Sequence, residues 1–250
     1  MKYTIITAIY NGRKYIERLA SSIFTQTYPD IEWVVQDGGS TDGTLELLEK
    51  FKNKIRLASE PDNGVYDAWN KAVTRATGDW ALFLGADDAL LHQNVIVQCH
   101  RHMLQIPPLV QFAYGALVWG RDGDVEKLYN PSLRHSYHEF LNNMGIPFPS
   151  TFIRVPLLKQ EKFDDTYKIA GDFDFAARLV TKKNLARIPV VVTYMERGGV
   201  SGNQRNPSLL QERLRVLYRR VRPKAEEFMM GCAEHIMNED EYFLEPMPGN

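Results

Sequence analysis

Apolar residues come in short dense runs along this chain, and each run ends in glycine, asparagine or acid. Tyr3 to Tyr10 is β-branched and apolar throughout, which fits a strand covered on both faces, and Asn11-Gly12 breaks it. Behind the break Tyr15, Ile16, Leu19, Ile23 and Phe24 recur at helical spacing, with Asn11 as the expected cap. Glu32 to Gln36 reads as a second strand, running into Asp37-Gly38-Gly39-Ser40-Thr41-Asp42-Gly43-Thr44. Leu45, Leu48 and Phe51 then start a helix that Ser40 or Asp42 caps. A third strand, Ile55 to Ser59, ends in Glu60-Pro61-Asp62-Asn63-Gly64, and a helix follows with Tyr66, Trp69, Asn70 and Val73, stopped by Gly78. The fourth run, Trp80 to Leu84, ends in Gly85-Ala86-Asp87-Asp88.

Strands and helices alternating at about thirty-residue spacing predict an α/β fold, a right-handed and mostly parallel sheet with helices on both faces. Ligands of such sheets sit beyond the carboxyl ends of the strands, and the polar turns of this chain fall there. Two readings of Asp87 and Asp88 are open at this point. Adjacent carboxylates repel unless a cation lies between them, and oxygen-only ligation suits Mg²⁺ or Mn²⁺, which in turn holds phosphate. The plainer reading is a helix cap ahead of Ala89, Leu90 and Leu91. A dinucleotide site needs Gly-x-Gly-x-x-Gly after the first strand, and Ala8-Ile9-Tyr10-Asn11-Gly12-Arg13 lacks it. No phosphate loop of the Gly-x-x-x-x-Gly-Lys-Ser/Thr type is present either.

Farther on, His92 to Leu104 reads as a helix, Phe112 to Trp119 as a strand, and Arg121-Asp122-Gly123-Asp124 as a solvated turn, not a metal motif. His135 and His138 have ligand-like spacing without an acidic partner nearby. Phe175, Ala176, Leu179 and Val180 give a helix an apolar face, with Asp172 at its start as an expected cap. Arg187 to Met195 closes the sheet, and the Gly-rich stretch Arg197 to Arg205 is either a linker or a loop that folds over donor phosphates. From Leu209 to Lys224 the chain is helical and basic. It suits an anionic membrane surface or pairing with the acidic tail of Glu234, Glu239, Asp240 and Glu241.

Composition narrows the field further. The 250 residues are 44% hydrophobic and 24% charged, which predicts one large α/β domain over 1–205 and a helical extension over 206–250. A formal net charge of -1 gives no global field for nucleic acid. Cys99 and Cys232 match no metal or redox spacing and read as reduced thiols. Neither a signal-peptide core nor a membrane-spanning window is visible, so the expected location is cytoplasmic, with peripheral contact at the inner face of the plasma membrane through the basic helix.

Five blocks carry a resemblance: Thr7 to Asn11 (TAIYN), Gln36 to Thr44 (QDGGSTDGT), Ser59 to Val73 (SEPDNGVYDAWNKAV), Gly78 to Asp88 (GDWALFLGADD) and Ala170 to Leu179 (AGDFDFAARL). In this order they resemble the inverting nucleotide-sugar glycosyltransferases of family 2, over roughly residues 1 to 200. The resemblance implies a GT-A fold, transfer of a sugar from a UDP-, GDP- or dTDP-linked donor to a glycan or lipid-linked acceptor hydroxyl, and service in bacterial polysaccharide or glycolipid assembly. It places Ala8, Tyr10 and Asn11 beside the nucleotide base, with Tyr10 as a stacking face. It gives Asp37 the base N–H and Gly38 a close backbone approach, and it puts Asp62, Gly64 and Asp67 in a second donor-side segment. Asp87 falls on the metal and sugar-phosphate motif, with Asp88 beside it, and the cofactor implied is a divalent metal, Mn²⁺ or Mg²⁺.

Asp172 matches the general base of inverting transfer, with Asp174 as the runner-up. Arg178 is expected to pair with a carboxylate or to help position phosphate. Three positions depart from the family pattern: Gly85 stands where a first motif carboxylate is frequent, Phe148-Pro149 where a His-Gln pair is frequent, and Gly171 where some relatives carry Glu. A nucleotidyltransferase and a non-catalytic nucleotide-binding module remain as alternatives. The first ordinarily needs a basic Gly-rich loop, which Asn11-Gly12-Arg13-Lys14 replaces poorly.

Overall fold

The structure, a computed structural model, describes residues 1–131, 146–198 and 206–221. The first half follows the sequence pattern closely. Strands β1 (Tyr3–Ile9), β2 (Ile31–Asp37), β3 (Arg56–Ser59) and β4 (Trp80–Phe83) alternate with helices α1 (Ile16–Phe24), α2 (Thr44–Glu49) and α3 (Val65–Arg75). They pair in parallel in the order β3-β2-β1-β4. Side chains of β1 alternate between two cores. Tyr3, Ile5 and Ile9 pack towards α1 and α4 (Val95–Met103), and Ile6 packs towards α3. Each fully buried aliphatic or aromatic side chain here contributes about 1.5–3 kcal/mol by leaving water.

Beyond β4 the sheet becomes mixed. Strand β8 (Thr151–Arg154) enters antiparallel beside β4, then come β6 (Phe112–Arg121) and β9 (Leu185–Glu196), parallel to each other. Because β8 runs backwards, its first residue and the 3-10 turn Phe148–Ser150 before it lie at the carboxyl end of β4. Strand β7 (Asp124–Tyr129) forms a hairpin with β6 around Asp122-Gly123, the expected turn.

Two local expectations are corrected. Ala89-Leu90 is a short strand, β5, antiparallel to β9, so Asp87 and Asp88 cap no helix. Ala89 and Leu90 are good helix formers, and the edge of β9 overrides that propensity. Asn11 does not cap α1, whose N-cap is Tyr15; Asn11 sits at φ 51° and clamps the neighbouring turn.

Helices α5 (Val155–Gln160), α6 (Gly171–Leu179) and α7 (Pro207–Val216) cover the α3 side. Leu209, Val216 and Val221 are buried in the same core as Phe173, Phe175 and Tyr66, so the described part of the C-terminal segment shares that core. Two of its cations are engaged by the domain. Arg220 meets Asp174 at 3.0 Å, and Arg215 bonds Thr166 and lies over the Tyr167 ring at 4.4 Å. No described helix is long and apolar enough to cross a membrane. His135, His138, residues 199–205, Cys232 and the acidic tail lie outside the described residues.

Candidate active site

Two cavities open at the carboxyl edge of the sheet, and α3 stands between them. The first, about 390 Å³, is lined by Ala8, Ile9, Tyr10, Gly38, Asp62, Gly64, Val65 and Ala68. Strand register builds it. Parallel pairing sets Ile9 beside Asp37 and Asp37 beside Ser59, so the first three strands end flush and their turns share one rim. Tyr10 is 65% exposed, which leaves its ring free to stack. A Cβ on Gly38 would come within 2.5 Å of Asp62 Oδ2, so only glycine lets backbone and carboxylate approach this closely. Asp62 Oδ1 accepts the Gly64 N–H at 2.8 Å, and Oδ2 has no hydrogen-bond partner among the described residues.

The remaining donor-side candidates hold the rim together. Asp37 is fully buried and does not line the cavity. Its carboxylate accepts from the amides of Gly39 and Ser40 at 3.0 Å and from the hydroxyls of Ser40 at 2.5 Å and Ser59 at 2.6 Å. Asn11 Oδ1 accepts the Thr41 N–H at 2.9 Å, and the Asn11 N–H donates to Ser40 Oγ at 2.8 Å. Asp42, not Ser40, serves the start of α2, accepting the Thr44 N–H at 3.0 Å. Asp67 binds the Asn63 amide at 2.9 Å and Lys71 at 3.1 Å.

Arg178 pairs with carboxylates, one of its two expected roles, and does not line the first cavity. Its guanidinium bonds Asp174 at 3.0 Å, Glu161 at 3.4 Å and the Lys162 carbonyl, an ion-pair anchor at the end of α6. Asp174 is wholly buried between Arg178 and Arg220, which takes it out of contention as a base.

Asp87 and Asp88 follow β4 on a tight turn. Asp88 Oδ2 accepts the Gly85 N–H at 2.9 Å, and a Cβ at 85 would stand 2.8 Å from Asp87 Oδ1, so glycine at this departure from the family pattern gives the turn its room. Burial, reinforced by the Asp87 charge, pushes Asp88 up to about 7. Burial likewise raises Asp87, with the Glu196 charge adding to it and Arg18 opposing. The antiparallel register of Ala89 with Tyr194, continued back along β5, brings Asp87 towards Glu196. Between them Arg18 of α1 bonds Glu196 at 2.6 Å and the Asp87 carbonyl. Asp87 and Asp88 are the two carboxylates of this turn that could hold a cation. Among the described residues no three His, Cys, Asp or Glu converge on a common point.

The second cavity, about 500 Å³, lies on the far side of α3. Its wall is largely apolar, including Leu117, Trp119, Phe148, Met195 and Leu209, and Asp172 and Arg213 are the charged groups lining it. Phe148, the departure from His-Gln, is stacked on Trp69 at 5.5 Å and packed against Phe83 and Phe163, so this wall is rigid. Asp172 is the second residue of α6, whose cap is Ala170, and therefore does not cap it. Desolvation by the surrounding protein raises its pKa to about 6, opposed by the Phe173 N–H, the Tyr66 hydroxyl and the charge of Arg213. Glu212 of α7 fixes the approach to α6 by accepting the amides of Lys168, Ile169 and Ala170 at 2.8, 2.9 and 2.8 Å.

Sequence reasoning missed Arg18, Tyr66, Glu196 and Glu212. Tyr66 was visible only as one apolar position of α3, and the others carried no local signal.

The family model for Glycosyl transferase family 2 matches residues 4–157, more than half of the chain. The chain belongs to this family. A PGL/p-HBAD biosynthesis glycosyltransferase of Mycobacterium tuberculosis is 30% identical over 214 residues, spanning 80% of this chain and 78% of the relative. The poly(ribitol-phosphate) β-N-acetylglucosaminyltransferase TarS of Staphylococcus aureus is 37% identical over 94 residues, 35% of this chain and 16% of TarS. The fold agrees with the GT-A architecture of solved neighbours. TarS 1–349 in complex with UDP-GlcNAc superposes with a TM-score of 0.61 at 23% identity, covering 82% of this chain and 61% of that one. A mannosyltransferase from Pyrobaculum calidifontis in complex with GDP-Man and Mn²⁺ gives 0.59 at 21%, covering 80% and 58%. The chain thus spans about three fifths of these solved neighbours.

Proposed function

We propose that this family 2 glycosyltransferase transfers a sugar, with inversion, from a nucleoside diphosphate donor in the first cavity to a hydroxyl seated in the second. The observation that carries this reading is the placement of Asp172: a partly buried carboxylate, raised by desolvation, in the wall of an apolar cavity one helix away from the rim of strand-end turns. An alcohol is too weakly acidic to attack unaided. Asp172 removes its proton as the new C–O bond forms at the anomeric carbon and the bond to the diphosphate oxygen breaks, and a single displacement inverts that carbon.

On the donor side Tyr10 stacks on the base, Gly38 and Gly64 admit the nucleoside to the backbone, and Asp62 Oδ2 accepts the base N–H. Asp37 and Asn11 shape the turn that presents these groups. Asp87 and Asp88 are the groups that would hold Mn²⁺ or Mg²⁺, which when bound offsets charge on the leaving diphosphate. Arg18 keeps their turn in place through the Asp87 carbonyl.

The second cavity favours an acceptor hydroxyl on an apolar or lipid carrier, because a free sugar would leave most of its hydroxyls unpaired against Leu117, Phe148, Met195 and Leu209. The names of the mycobacterial and staphylococcal relatives support glycolipid or cell-wall polysaccharide assembly. Leu210 and Leu214, both exposed on α7, form the face that meets the membrane surface. Turnover decides the reading. Incubation with UDP-GlcNAc, GDP-Man and a dTDP-sugar, with and without Mn²⁺, is expected to show metal-dependent release of nucleoside diphosphate from one of them. Binding without release from any donor would instead support a non-catalytic module.

A further inference from the structure

We infer that Tyr66 is a positioning residue for the base Asp172, and that Gly171 is the residue that makes this contact sterically feasible. The inference rests on the assignment of Asp172 as the base. Tyr66 stands in the first turn of α3, the turn that also supplies Gly64, Val65 and Ala68 to the donor cavity. Its hydroxyl lies 3.2 Å from Asp172 Oδ1 and 2.6 Å from the Ile169 carbonyl oxygen. The Phe173 N–H reaches the same Oδ1 at 2.8 Å, which leaves Oδ2 of Asp172 without a hydrogen-bond partner among the described residues. One oxygen is pinned from two sides and the other stays open for the proton of the incoming alcohol.

The phenol suits this task in both protonation states of the carboxylate. It has one proton and two acceptors within reach. While Asp172 is ionised, donation to Oδ1 stabilises the charge. Once Asp172 carries the acceptor's proton, that demand falls and the Ile169 carbonyl takes the hydroxyl's hydrogen, so the phenol is not stranded in either state. Burial and the Asp172 charge push the phenol well above its ordinary pKa, so it remains a donor throughout the working range.

Sterics link the two positions. A Cβ at 171 would lie 2.7 Å from both Cδ2 and Cε2 of the Tyr66 ring, a separation no packed side chain tolerates. The ring is locked on its other faces by Trp69 at 5.3 Å and Phe163 at 6.0 Å and has nowhere to retreat. Glycine at 171 thus leaves the space that the Tyr66 ring occupies beside Asp172.

The test is the pH profile of donor turnover, measured as nucleoside diphosphate release from whichever of UDP-GlcNAc and GDP-Man turns over faster with Mn²⁺. Tyr66→Phe keeps the ring and its packing. It is expected to lower kcat by about tenfold, the magnitude of a hydrogen bond to a charged group, with donor KM unchanged. Losing a donor to the carboxylate also moves the acidic limb of the kcat profile to higher pH by about half a unit to one unit. Gly171→Ala, which displaces the ring, is expected to move the limb in the same direction. Wild-type kcat and an unmoved limb in Tyr66→Phe overturn the inference, and so does a lower kcat with the limb unmoved, which a purely packing role would give. If Asp172→Asn itself retains turnover, the base assignment is what fails; if it abolishes turnover while Tyr66→Phe changes nothing, only the present inference fails.

Discussion

Asp37 and Asp172 are both aspartates at the carboxyl edge of the same sheet, and their surroundings assign them opposite work. Asp37 is fully buried but saturated, with two amides and two hydroxyls donating to its oxygens. Asp172 has two donors, both on one oxygen, and faces an apolar cavity. A carboxylate whose lone pairs are all engaged shapes the chain around it, whereas one held under-satisfied keeps basicity to give. Asp37, behind the first cavity, is held in the first way, and Asp172, in the wall of the second, in the other.

The largest expected effect comes from removing the under-satisfied group. Asp172→Asn should lower turnover by about a thousandfold, within the usual range for a general base, while titration shows unchanged donor affinity. Retained turnover would erase the distinction between the two aspartates. Next in size, Asp87→Asn should reduce Mn²⁺-dependent turnover by about a hundredfold. In the metal-free protein Asp88→Asn should raise the melting temperature at neutral pH, because Asp88, raised to about 7, is partly ionised there against its burial. Added Mn²⁺ should then stabilise the wild type more than this variant.

A third effect is graded. Asp172 must be ionised to act and its pKa is about 6, so kcat should fall about tenfold per unit as pH drops below that value and level off above it. Gly38→Ala forces a Cβ into Asp62 and should weaken donor binding about tenfold, a cost of overpacking, with kcat less affected. The smallest effect is expected of Asp67→Asn, which breaks local bonds to Asn63 and Lys71 and should change donor affinity by about twofold at most. A large loss there would mean that the saturated carboxylates touch donor after all.

The donor half was the legible one, for a physical reason. Strand, turn and helix of each unit are contiguous, so Asp37-Gly38-Gly39-Ser40 and Asp62-Asn63-Gly64 announce themselves as breaks behind apolar runs. Asp87-Asp88 was legible as an acidic strand end but not as the start of β5, since pairing with β9 is a tertiary event that Ala89-Leu90 does not encode locally. Other contacts around the two cavities join partners far apart in the chain. Tyr66 and Asp172 are separated by 106 residues and Arg18 and Glu196 by 178, and neither pair leaves a periodic trace. Arg178 shows the limit only in part: Asp174 stands four residues before it on α6, whereas Glu161 meets it only once α6 lies beside the end of α5.

One clasp has a consequence for how the protein comes off the ribosome. Three successive amides, at Lys168, Ile169 and Ala170, are gripped by the single carboxylate of Glu212, which is translated 42 to 44 residues after them. Every residue lining the first cavity lies within the first 68 of the chain, so that stretch is synthesised first. The start of α6, where Asp172 lies, is clasped only once Glu212 has been made, so the chain holds the whole lining of the first cavity well before this clasp can close.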